Sequence, residues 1–239
     1  MLFLPKFTKT SPKTDICPFY LPMPLLSTQT LSAETLLGLW HIKESVAELE
    51  EALLYLRPNH ALPDFKAESR RREWLAVRVL AYSLLDQLSA DKTIITREET
   101  GQPVCVAGGF QVSLTHSGPW VAALVSGTYQ VGIDIETRGT KVPRLVAKFL
   151  SEEELTASQT DPVKMHLYWS AKETLYKAYS RKKLLFKENL LLENVNVQPT
   201  GQFKGTVQTH NFRHTYDVHY IVDPEYVLTY VLAPLEAEL

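Results

Sequence analysis

Two hydrophobic periodicities alternate along this chain. Residues 36–42 form a short, nearly continuous apolar run that reads as a strand. Ser45 and Glu48 then make a capping-box signature, and Leu49, Leu53 and Leu56 recur at helical spacing until Pro58 and Pro63 intervene. A longer helix is expected over residues 67–88, with Leu75, Val79, Tyr82 and Leu85 on one stripe. Strand-like runs follow at 93–96, 104–106, 112–115, 121–125 and 130–135, with Gly101, Gly108, Gly109, Gly118 and Gly127 as punctuation. Ser151 and Glu154 repeat the capping box. A helix is expected over 163–182, then strands at 195–197, 203–209, 215–221 and 226–232.

That order predicts an α+β chain in two similar halves with segregated antiparallel sheets. No repeat at a fixed period is visible, so the duplication rests on element order alone. Ahead of both halves, Pro5, Pro12, Pro18, Pro22 and Pro24 exclude a long helix and suggest an extended arm or edge segment over residues 1–35.

Charge narrows the function. The 239 residues carry 25 Lys+Arg against 27 Asp+Glu, a net charge of −2, so no global basic field marks a nucleic-acid binder and any anion site must be local. Cys17 and Cys105 are too few for a disulfide framework and form no C-x-x-C pair. The N-terminal apolar run is too short for a signal-peptide core and is ended by Pro5, and the stretch 74–85 is broken by Arg78. A cytoplasmic protein with no membrane association is expected.

Four segments could carry chemistry. In Gly132-Ile133-Asp134-Ile135-Glu136, strand alternation puts both carboxylates on one face, a donor set suited to Mg²⁺; the ordinary alternative is a solvated acidic face. In Trp169-Ser170-Ala171-Lys172-Glu173-Thr174-Leu175-Tyr176-Lys177, helical spacing aligns Trp169, Glu173 and Lys177, although Glu four residues before Lys is also the favoured intrahelical pair. Ser113-Leu114-Thr115-His116-Ser117 could donate hydrogen bonds to a phosphate, or His116 could be a satisfied structural histidine. No G-x-S-x-G elbow accompanies it. Lys66, Arg70, Arg71, Arg72 and Arg78 cluster near a helix N-terminus, where positive charge opposes the macrodipole and so hints at an anionic partner.

In this order the segments resemble the 4′-phosphopantetheinyl transferase family, in its longer single-chain, surfactin-synthetase-activating form. Residues 132–136 match its G-[IV]-D-[IV]-E, and Trp169, Lys172, Glu173 and Lys177 its W-[ST]-x-K-E-x-x-x-K. Phe149, Ser151 and Glu154 match F-x-S-x-x-E. Thr115-His116-Ser117 resembles S-H-S, and the stretch from Arg72 to Arg78 resembles R-x-F-L-x-x-R.

The resemblance implies a pseudo-twofold pair of α+β halves: an arm over 1–35, a first half over 36–129 and a second over 130–239 that carries the metal motifs. It also implies Mg²⁺-dependent transfer of the phosphopantetheine arm of coenzyme A to a serine of an apo acyl or peptidyl carrier protein by a monomer, releasing 3′,5′-ADP. Asp134, Glu136 and Glu173 would ligate the metal, with Glu173 also the general base. Lys177 would grip the pyrophosphate, while Arg72, Thr115 and His116 would hold the 3′-phosphate of coenzyme A. Lys172 is a weaker phosphate candidate and Trp169 a packing residue. Gly101-Gln102-Pro103 departs from the family's G-K-P, and Arg70 or Arg71 is a candidate to replace the missing charge. The competing readings are a Mg²⁺-dependent hydrolase of a nucleotide pyrophosphate and a non-catalytic carrier- or coenzyme A-binding module.

Overall fold

The computed structural model describes residues 26–181 and 184–235. The proline-rich residues 1–25 with Cys17, the pair Lys182 and Lys183, and residues 236–239 lie outside the described residues. In chain order the first part runs β1 (Leu26–Ser32), β2 (Thr35–His41), α1 (Val46–Leu56), α2 (Glu68–Leu88), β3 (Ile95–Arg97), β4 (Pro103–Cys105), β5 (Gln111–Ser117) and β6 (Trp120–Ser126). The second part begins with β7 (Tyr129–Thr137), a 3-10 turn (Pro143–Leu145), α3 (Val146–Phe149), α4 (Glu152–Ser158) and α5 (Pro162–Tyr179). It closes with α6 (Phe186–Asn189), β8 (Leu190–Glu193), β9 (Thr200–Gln208), β10 (Arg213–Val222) and β11 (Tyr226–Pro234).

The strands form two antiparallel sheets, ordered β1-β2-β6-β5 and β7-β11-β10-β9-β8, plus the hairpin β3-β4. Leu26–Ser32, inside the segment read as an arm, is the edge strand of the first sheet. Both expected capping boxes are present, and α5 is capped by Asp161, whose carboxylate accepts from Val163 N and Lys164 N. Two expectations change. The helix expected to reach residue 182 stops at Tyr179, because Ser180 takes a left-handed φ of 58° and ends the ladder. The strand expected at 195–197 is not formed. The preceding run Leu190–Glu193 pairs with β9 instead, and Asn194 leaves the sheet at a φ of 55°.

Each sheet buries one face against its own long helix. Leu75, Val79, Tyr82 and Leu85 of α2 pack with Trp40, Ala123 and Val125 of the first sheet. Leu167, Ala171, Leu175 and Ala178 of α5 pack with Phe203, Val218 and Val231 of the second. The backs of the two sheets meet in a third core: Leu37, Leu39, Ala122 and Leu124 against Ile133, Ile135, Tyr226 and Leu228. Because side chains alternate, burying Ile133 and Ile135 there turns Gly132, Asp134 and Glu136 toward α5.

The join between the sheets is made by hydroxyls. Ser113 Oγ, Thr115 Oγ1 and Ser117 Oγ on β5 accept from the N–H groups of Ile133, Ile135 and Thr137 on β7, at 3.1, 3.2 and 3.0 Å. Alternate side chains of one edge strand thus satisfy the exposed amides of another, which would otherwise be orphaned. On the opposite face of β7, Gly132 lets α5 approach: a Cβ there would overlap the Thr174 carbonyl oxygen. Gly132→Ala is therefore expected to push α5 off β7 and cost about 1–3 kcal/mol by overpacking. The loss would be read as a lower denaturation midpoint, and a midpoint equal to wild type would contradict the close approach.

Candidate active site

The site lies where β7 meets α5. The Lys177 ammonium donates to Asp134 Oδ1 at 2.7 Å and to the Ile133 carbonyl at 3.0 Å. Thr115 Oγ1 donates to the same Asp134 oxygen at 3.0 Å. Asp134 Oδ2 is buried and has no hydrogen-bond partner. A buried carboxylate oxygen left bare costs about 1–3 kcal/mol or more, so this atom is poised to accept a cation or proton donor. Glu136 is held from both sides: Trp169 Nε1 donates to Oε1 at 2.7 Å and Ser117 Oγ to Oε2 at 3.0 Å. Burial, then the Asp134 charge, raises the Glu136 pKa.

Glu173 completes the acidic group. Burial, with Asp134 and Glu136 adding to it against the opposing Lys177, pushes its carboxyl up to about 7. Burial and neighbouring carboxylate charge raise both glutamates, and with Asp134 they offer hard oxygens of the kind Mg²⁺ takes. Among the described residues no three His, Cys, Asp or Glu side chains are already gathered into a metal-holding cluster. Lys177 provides the local countercharge at Asp134.

The expected phosphate residues divide. His116 and Lys177 both line a cavity of about 250 Å³ at the junction of the two halves. Thr115 was expected beside the 3′-phosphate. It is instead buried and committed to Asp134 and the Ile135 amide, because strand alternation turns it away from the side His116 faces. Arg72 was expected there too, but it is not among the cavity's lining residues. At 100° per residue along α2, Arg72 is displaced from the face of Trp74 and Arg78, which do line it. Arg71 is spent on Glu50, and Arg70 pairs with Glu73 at 3.3 Å. The Glu73 carboxylate also lies 3.1 Å from His116 Nδ1. Burial lowers the His116 pKa, which Glu73 opposes. Lys172 is fully buried on Glu154 at 2.6 Å, so it is unavailable to a phosphate.

Sequence reasoning missed Arg97 and Glu73, and it named Arg78 only as one of the basic set near the start of α2. Arg78 is buried, stacks 3.7 Å over the Trp74 ring, and keeps its Nε without a partner. Burial and the nearby Arg97 lower its pKa to about 10. Arg97 sits opposite Pro103 in the β3-β4 pair and so beside Gln102, and both line the cavity. The hairpin register could have placed it. Trp74, Arg78, Arg97, Gln102, His116 and Lys177 form the polar and aromatic wall, and none of the cavity's lining residues is acidic. A cationic cavity beside a carboxylate group has the charge that a phosphorylated ligand would need.

The structure thus presents a two-sheet α+β fold with a cationic cavity and acidic side chains at its seam. Comparison with known proteins is more specific. The family model described as the 4′-phosphopantetheinyl transferase superfamily matches residues 130–231, and that of the 4′-phosphopantetheinyl transferase N-terminal domain matches residues 61–126. The two stretches abut at the turn between β6 and β7. The 4′-phosphopantetheinyl transferase PptT of Mycobacterium tuberculosis is 32% identical over 150 residues, which are 58% of this chain and 65% of that protein. The chain belongs to the 4′-phosphopantetheinyl transferase superfamily. The match spans just under two thirds of this curated relative. Among the described residues no helix is long and apolar enough to cross a membrane.

Proposed function

We propose that this chain transfers the 4′-phosphopantetheine arm of coenzyme A to a serine hydroxyl of an acyl or peptidyl carrier protein and releases 3′,5′-ADP. Family membership supports the reaction class, and one observation carries it to this site. Lys177 lines the cationic cavity while its ammonium touches Asp134, so a single side chain joins the donor's place to the carboxylates.

In the reaction the serine oxygen bonds to the β-phosphorus of the pyrophosphate. The bond from that phosphorus to the bridging oxygen breaks, and the leaving phosphate keeps the electron pair. Phosphoryl transfer depends chiefly on positioning and charge neutralisation. Asp134, Glu136 and Glu173 would hold the divalent cation, Mg²⁺, which supplies charge neutralisation at the pyrophosphate. Asp134 fits this role through its bare Oδ2. Glu173 takes the proton from the serine, and Lys177 steadies the departing charge. His116 and Arg78 face the donor's remaining phosphate. Arg97 supplies beside Gln102 the positive charge that a lysine brings elsewhere in the family.

The test is to incubate the purified chain with coenzyme A, Mg²⁺ and a panel of apo carriers, and weigh the carriers by mass spectrometry. The expected result is one added phosphopantetheine per carrier, abolished by a chelator. Cleavage of coenzyme A without any carrier would instead establish the hydrolase reading. Unmodified carriers across the panel, beside a working control transferase, would overturn the proposal.

A further inference from the structure

Trp169 and Lys172 both belong to the helical motif, yet neither reaches the cavity. The geometry gives them a joint task. The Trp169 indole N–H donates to Glu136 Oε1 at 2.7 Å, and its ring is flanked by Phe149 at 4.9 Å and Phe186 at 5.6 Å between centroids. The backbones of these two phenylalanines are tied to one atom. Lys172 Nζ donates to the Phe149 carbonyl at 2.8 Å, to the Phe186 carbonyl at 2.9 Å and to Glu154 Oε2 at 2.6 Å. All three donor positions of the ammonium are thereby used, at full burial.

We propose that Trp169 is a positioning residue that fixes the Glu136 carboxylate for cation binding, and that Lys172 acts one step behind it by holding the phenylalanines that clamp the indole. Ser117 grips the other Glu136 oxygen from the opposite sheet, so the carboxylate is held by one donor from each half. With each oxygen accepting one hydrogen bond, its remaining lone pairs keep a set direction. A ligand held in this way loses less freedom when it takes a metal, and outer partners of metal ligands commonly contribute 10–100-fold in affinity. The inference rests on the reading of Glu136 as a cation ligand given above.

The test is Mn²⁺ binding to the full chain, followed by electron paramagnetic resonance, with melting temperature measured alongside. Trp169→Phe keeps a ring between Phe149 and Phe186 and removes the N–H. It is expected to weaken Mn²⁺ binding about 10-fold with an unchanged melting temperature. Phe186→Leu, which loosens the clamp and leaves the N–H in place, is expected to weaken binding by a smaller factor, and it carries the test should Trp169→Phe misfold. Glu136→Gln is the reference. If it lowers affinity while Trp169→Phe and Phe186→Leu bind Mn²⁺ as wild type does, the positioning role is overturned and the metal site stands. If Glu136→Gln also binds as wild type does, the metal reading fails, and the inference with it.

Discussion

Glu173→Gln is expected to slow transfer of phosphopantetheine to an apo carrier by about 10²–10⁴-fold, the usual contribution of a positioned general base. The substitution keeps shape and removes the charge, so the loss reports chemistry rather than packing. Stability supplies an independent check. The Glu173 pKa is raised from 4.5 to about 7 by burial and its carboxylate neighbours. A carboxyl raised in this way holds its proton more tightly folded than unfolded. Its stabilising contribution is full below the unfolded value and is lost as pH rises through the folded one. In the presence of a chelator, Glu173→Gln should therefore melt higher than wild type at pH 8 and show little difference at pH 4. Turnover equal to wild type would remove Glu173 from the reaction, and an identical melting temperature at both pH values would remove the electrostatic account.

The second large effect falls on stability. Lys172→Met is expected to cost about 3–5 kcal/mol, the range found when one partner of a buried ion pair is deleted. For a chain of this size that corresponds to a melting temperature lower by on the order of 10 °C. The reason is the carboxylate left behind. Glu154 is 6% exposed, and its two oxygens also accept from the Ser151 and Leu192 amides. Without the ammonium, its negative charge is buried with only those partners, and the Phe149 and Phe186 carbonyls lose their shared donor. Adding Glu154→Gln to Lys172→Met should restore part of the loss by removing the stranded charge. A single variant melting within about 2 °C of wild type would show that the pair contributes almost nothing, as exposed pairs do.

Much of the fold was legible from local pattern. The α2 stripe of Leu75, Val79, Tyr82 and Leu85 is buried as its spacing requires, and both capping boxes form because their partners lie three residues apart. The short helices escaped notice. α3 and α6 have four residues each, too few for a helical period to repeat, and the choice of 190–193 over 195–197 as a strand depends on pairing with β9. The site was legible to the same depth. Alternation on β7 and the helical spacing of α5 identify which side chains share a face. Neither pattern states which face of β5 confronts β7, and so neither could tell that Thr115 would bond to the Ile135 amide while its neighbour His116 lines the cavity.

From the sequence alone came the α+β layout, the pairing of Asp134 with Glu136, and the alignment of Glu173 with Lys177, since each depends on a backbone period shared by any strand or helix. Tertiary structure decided which cations remain for a ligand. Arg71 and Lys172 are neutralised by Glu50 and Glu154, whereas Arg78 and Arg97 are brought to the cavity. It also brought the Trp169 indole N–H onto the Glu136 carboxylate. Those outcomes depend on partners distant in the chain, whose meeting is set by how the two sheets and their helices pack.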